Sequence, residues 1–172
     1  MAVLPIRIYP DPILRERCPG VETFDDELER LTRDMVETMH AAPGVGLAAP
    51  QVGVELRVAV VDTTVGEEAR ELYILVNPEI LDETGRDTDE EGCLSIPDIT
   101  DKVTRPETIL VKAQGIDGEP YEFEAEGLTA RVVCHEVDHL NGVLFVDHLS
   151  GLRKERVKRQ LRKLSHQLEP TR

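Results

Sequence analysis

The sequence predicts an α+β fold, with antiparallel sheets packed around a central helix and a further helix at the C-terminal end. Two observations carry this expectation. Apolar residues recur at helical spacing near 25–41, 128–141 and 150–167. Short runs rich in β-branched residues fill the middle of the chain, separated by turn signals such as Gly85 and Asp117-Gly118. No repeat, low-complexity stretch or linker interrupts the 172 residues, so one domain is expected over 1–172, ending in a basic helix and tail over 151–172.

The elements follow in order. A short extended N-terminus leads into the first helix, where Asp25 and Asp26 are capping candidates and Leu28, Leu31, Met35 and Met39 mark the apolar face. Residues 43–53 read as a glycine-rich loop. Strand-like runs stand at 56–61, 72–76, 108–113 and 121–124. Residues 90–95 read as a tight, acidic turn. Gly142 is the expected C-terminal cap of the second helix. In the last helix Val157, Leu161, Leu164 and Leu168 form one apolar stripe, and Arg153, Lys154, Arg156, Lys158, Arg159, Arg162 and Lys163 cover much of the rest.

The segment Cys134-His135-Glu136-Val137-Asp138-His139 carries the most chemistry. Histidines at i and i+4 lie on one helix face, so both imidazoles can reach a single metal ion. Glu136 then stands beside that ion as a general acid/base, which points to metal-assisted hydrolysis. The motif is short, and a surface helix with two solvated histidines is its bland alternative. A hydrolytic metal needs a third protein ligand. Asp138, His148 and Cys93 are the candidates, with Asp138 better suited to an ion pair; Cys93 follows a glycine in an acidic turn, an odd place to bury a small apolar side chain.

The glycine-rich loop imitates another site. Residues 44–49 match GxGxxA, and Asp62 ends a strand-like run about twenty residues on, as in a dinucleotide fingerprint. That fingerprint follows a strand and opens a helix. Here a helix precedes the loop and Pro50 disfavours helix continuation, so nucleotide binding is not expected.

Taken together, GVGLAAPQ at 44–51, EGCLS at 91–95 and HEVDH at 135–139 resemble the three motifs of the bacterial peptide deformylases. The resemblance runs from Tyr9-Pro10-Asp11-Pro12 through the C-terminal helix. One departure is Cys134, where the family often has glutamine; packing should feel this more than ligation. The short span from 61 to 72 resembles the compact bacterial members. The resemblance implies a hydrolase that removes the formyl group from N-terminal formylmethionine of nascent peptides and releases formate. It further implies Cys93, His135 and His139 as metal ligands, Glu136 as the proton carrier, and Gln51 with the Leu94 backbone N–H as donors to the oxyanion. Val45 and Gly46 would hold the substrate as an extended strand, with Val45, Leu94 and Val132 around the methionine side chain. Intrinsic affinities favour zinc for two histidines and a cysteine. The resemblance points instead to Fe(II), with Zn, Ni or Co able to replace it in a purified sample.

Bulk properties set the remaining expectations. Three cysteines, an odd number, argue against a disulfide framework. No signal pattern or membrane-length run stands out, so cytoplasmic placement without membrane partners is expected; a monomer is expected as well. Formal net charge is −14, yet residues 151–172 hold eight Lys or Arg against two Glu, a net +6, leaving −20 on the other 150 residues. So acidic a body should not bind DNA. The basic helix suits docking on that body, and a resting place on the ribosome is the functional alternative. A zincin-like metallopeptidase and a non-catalytic metal- or ribosome-binding protein are the rival functions.

Overall fold

The computed structural model describes residues 2–68 and 71–168. The Leu168 side chain and residues 169–172, part of the expected stripe and basic tail, lie outside the described residues. Three α-helices, α1 (Asp26–Ala41), α2 (Gly127–Leu140) and α3 (Gly151–Leu168), pack with seven strands. The strands are β1 (Gly46–Ala48), β2 (Val58–Val61), β3 (Tyr73–Thr84), β4 (Asp87–Cys93), β5 (Ile96–Arg105), β6 (Thr108–Gln114) and β7 (Pro120–Glu126). All pairings are antiparallel: one sheet runs β1-β2-β3-β6-β7, and β4-β5 form a separate hairpin.

Two helix ends follow directly from local chemistry. Asp25 caps α1, its carboxylate accepting the Leu28 N–H at 3.1 Å. At the end of α2, Gly142 takes φ +75. Its N–H reaches the His139 carbonyl, and the Val143 N–H reaches that of Asp138, the paired bonds of a glycine-terminated helix.

β2 explains why its apolar run is unbroken: all four residues are buried because both faces are covered. Val58 and Val60 join Leu47, Leu28, Met35 and Met39 beneath α1. Ala59 and Val61 turn the other way, to Ala48, Leu75 and the Ala130, Val133 and Val137 face of α2. A third apolar cluster joins Ile96, Ile99 and Val103 of β5 to Phe145 and to Val157 and Leu161 of α3. α2 therefore lies between the large sheet and the hairpin, the central place expected for the HExxH helix.

α3 docks on the body as its stripe requires, with Leu164 also against this third cluster. Arg156 adds a 2.9 Å ion pair to the buried Asp101 of β5. Among the described residues, no helix is long and apolar enough to cross a membrane.

β3 runs on to Thr84, past the expected end at 76, β5 was not expected, and two segments that read as loop or turn are partly strand. The glycine-rich stretch contains strand β1 and the short 3-10 turn Ala49–Val52. Residues 90–95 hold the end of β4, and only Leu94 and Ser95 form the turn, between the paired Cys93 and Ile96. In both cases tertiary pairing extends the chain where local glycine content alone suggests a loop.

Candidate metal centre

α2 presents three working faces. Ala130, Val133, Cys134 and Val137 pack on the sheet, so Cys134 sits in apolar surroundings that push its thiol up to about 11. Val132 and Glu136 face strand β1. Arg131, His135 and Asp138 face the β4-β5 hairpin. The hairpin turn brings Cys93 over the histidines.

One ligand atom from each of Cys93, His135 and His139 lies within 4.8 Å of the other two. His139 Nε2 stands 3.3 Å from Cys93 Sγ and 3.2 Å from His135 Nε2. Ligands about 2.0–2.3 Å from one tetrahedral ion stand roughly 3.3–3.7 Å apart, so this spacing fits a shared divalent metal. His139 is 1% exposed, and burial holds its pKa well below that of a free imidazole, whereas in His135, despite burial, hydrogen bonds to Cys93 and Glu91 push it well above. Among the sequence candidates for third ligand, Cys93 alone joins the group. Asp138 and His148 instead meet each other at 2.8 Å, and Arg105 pairs with Asp138 at 2.6 Å, the ion-pair role expected of Asp138.

Glu136 is 2% exposed, and its Oε1 has no hydrogen-bond partner. Burial pushes its carboxyl up to about 7, only partly offset by His135. Gln51 is 1% exposed. Its Oε1 accepts the Ala48 N–H at 2.9 Å, which turns Nε2 toward Cys93 Sγ at 3.7 Å and Ser95 Oγ at 3.1 Å.

A cavity of about 350 Å³ opens beside this group, lined in part by Val45, Gly46, Leu94 and Val132. Gly46 is required here: a Cβ would stand 2.7 Å from both Glu136 Oε2 and Val132 Cγ1. The Asp62 N–H to Val45 carbonyl bond sets the phase of the β1-β2 ladder. Gly46, one residue on, therefore turns its own N–H and C=O toward the open edge of the sheet. All nine predicted site residues thus gather around the cavity or the histidines beside it.

A buried charge network that the sequence barely signals stands behind the metal group. Glu91 Oε2 meets His135 Nδ1 at 3.0 Å. Its Oε1 accepts from Arg105 at 2.8 Å and from Arg131 at 3.0 Å. Burial alone would raise the Glu91 carboxyl, but hydrogen bonds from Arg105 and His135 hold it down to about 2. The available signals were spacing: Glu91 lies two residues before Cys93, and Arg131 one turn before His135. The third participant, Arg105, carries no local signal.

The comparisons agree with this architecture. The polypeptide deformylase family model matches residues 3–155, which include all three motif segments. The peptide deformylase of Alkalilimnicola ehrlichii is 53% identical over 167 residues, covering 97% of this chain and 93% of that protein. A crystal structure of a peptide deformylase from Legionella pneumophila matches with a TM-score of 0.89 at 45% identity, covering 98% of this chain and 100% of that one. The crystal structure of the peptide deformylase from Thermus thermophilus gives a TM-score of 0.89 at 40% identity, covering 96% and 99%. With the family model spanning the metal group and full-length relatives about half identical, the chain belongs to the polypeptide deformylase family.

Proposed function

We propose that this chain hydrolyses the N-terminal formyl group of newly made polypeptides, using one divalent ion held by Cys93, His135 and His139. The observation that carries the reading is convergence. Three ligand atoms, an unpartnered Glu136 oxygen and the Gln51 amide meet beside one cavity. When bound, the ion supplies Lewis acidity and lowers the pKa of water. Fe(II) is the proposed metal, on resemblance to the family; one thiolate and two neutral imidazoles would leave a net charge near +1.

The protein's own groups do the rest. Glu136 accepts a proton from the attacking water at its free oxygen and passes it to the leaving amine. The Gln51 Nε2–H and the Leu94 N–H donate to the formyl oxygen as negative charge develops there. The open edge of β1 at Gly46 takes the peptide as an added strand. Val45, Leu94 and Val132 surround the methionine side chain. Family membership favours this reading over a zincin-like peptidase or a non-catalytic binding protein.

Chelation tests the metal requirement. Stripped protein should release no formate from a formylmethionyl peptide, and anaerobic Fe(II) should restore release. Full turnover by protein shown to be metal-free would contradict the reading.

The exposed basic side of α3 supports a second contact, with the ribosome. Arg153 and Arg156 pair with Asp101 and Lys158 pairs with Glu155, and Lys158, Arg159 and Arg162 are all exposed to solvent. Reversing these three charges to Glu should weaken co-sedimentation with ribosomes at low salt and leave hydrolysis of short peptides unchanged. Undiminished co-sedimentation would remove the ribosome from the account.

A further inference from the structure

We infer that Ser95, together with the backbone N–H groups of Arg7 and Tyr9, is a positioning unit for the Gln51 amide and the Leu94 turn. The inference rests on the deformylase reading above and adds residues to it.

A side-chain amide has one carbonyl oxygen and two N–H donors. The oxygen is committed to the Ala48 N–H, so the amide cannot flip without stranding a buried backbone donor. One N–H then goes to Ser95 Oγ at 3.1 Å. With that hydrogen held, the amide plane is fixed and the second N–H is aimed at the Cys93 side of the cavity. Ser95 is 0% exposed, so no solvent water takes the place of its hydroxyl.

The main chain repeats the tie. The Arg7 N–H donates to the Gln51 carbonyl at 2.6 Å, and the Tyr9 N–H donates to the Ser95 carbonyl at 2.8 Å. Residues two apart on an extended segment direct their N–H groups to the same side. One N-terminal segment therefore grips both halves of the site, the 3-10 turn carrying Gln51 and the hairpin turn carrying Leu94. Those halves are 42 residues apart between Gln51 and Cys93, and the gripping segment comes from a third part of the chain. Without it, the two donors would lose their shared main-chain anchor and keep only the side-chain contacts of Gln51 with Ser95 and Cys93 and the packing of Leu94.

Catalysis is sensitive to such placement, since a misplacement of about 1 Å can cost on the order of a hundred-fold. Ser95→Ala should lower kcat by about ten-fold to a hundred-fold, with KM and metal stoichiometry little changed. The same substitution made in a Gln51→Ala background should add almost nothing, because there is no amide left to position. Ser95→Thr, which keeps the hydroxyl, should recover most of the rate.

A readout independent of turnover completes the test. In zinc-loaded protein, the two Gln51 side-chain N–H signals should be distinct and slow to exchange; Ser95→Ala should speed exchange of one of them. Equal losses from Ser95→Ala in both backgrounds, or an unchanged kcat with unchanged side-chain exchange, would overturn the inference. If Ser95→Ala fails to fold, Ser95→Thr and the exchange measurement on the wild-type amide still decide: solvent-like exchange of both hydrogens contradicts it. Absence of formate release by the wild-type protein would instead defeat the deformylase reading itself.

Discussion

Replacing Glu136 by alanine should leave the metal bound and lower formate release by about 10²- to 10⁴-fold, the range typical of a lost general acid/base. The geometry separates this residue from the ligands. Glu136 faces β1, whereas His135 and His139 face the hairpin and Cys93. Its Oε1 has no hydrogen-bond partner, so truncation strands no group on that side. A buried carboxylate without a partner is costly to keep charged. Glu136→Ala should therefore match or exceed the wild-type protein in thermal stability while losing turnover, a trade common where function holds an unfavourable group in place. Metal stoichiometry, melting temperature and kcat measured on one preparation check all three parts. Turnover within ten-fold of wild type, with metal bound, would remove Glu136 from its proposed role.

Glu91→Ala should have the largest effect on stability, about 3–5 kcal/mol, as for other buried ion networks that lose one partner. Arg105 and Arg131 have side chains only 5% exposed, and both are bonded to Glu91. Alanine leaves two buried guanidinium groups facing an empty space. Arg131 keeps the Val103 and Asp87 carbonyls, and Arg105 keeps Asp138, so some structure should survive. A loss of this size corresponds to a fall of roughly 10 °C in melting temperature for a chain of this length. The same substitution removes the Nδ1 partner that orients His135, and metal affinity should weaken by about 10- to 100-fold. Urea unfolding and metal titration measure the two effects separately. A loss below about 1 kcal/mol with unchanged metal affinity would show that the network contributes neither stability nor orientation.

Much of this arrangement was legible in the sequence, for identifiable reasons. α1 and α2 carry strong helical periods with clear ends at Asp25 and Gly142. HEVDH specifies its own geometry, because helical spacing alone stacks two histidines. Ligand choice is less legible: spacing alone leaves Cys93, Asp138 and His148 open, and only the three family motifs together single out Cys93. The hairpin β4-β5 was not foreseen. β4 reads Asp87 to Cys93 with four acidic residues, a composition poor in strand formers. It is a strand because apolar residues of β5, Ile96, Ile99 and Val103 among them, bury against Phe145 and α3. β1 was hidden for a related reason, since three residues between glycine and proline gain strand form only by pairing with β2. The Glu91–Arg105–Arg131 network joins both arms of the β4-β5 hairpin to α2, and no local pattern encodes such a meeting.

The most direct measurement is formate release from a short N-formylmethionyl peptide by anaerobically prepared, Fe(II)-loaded protein, beside the same peptide carrying an N-acetyl group. The account predicts rapid release from the formyl peptide and none of the corresponding acetate from the acetyl peptide, with the peptide bonds of both intact. Failure to release formate with metal bound and the fold intact, or cleavage of internal peptide bonds in its place, would contradict it.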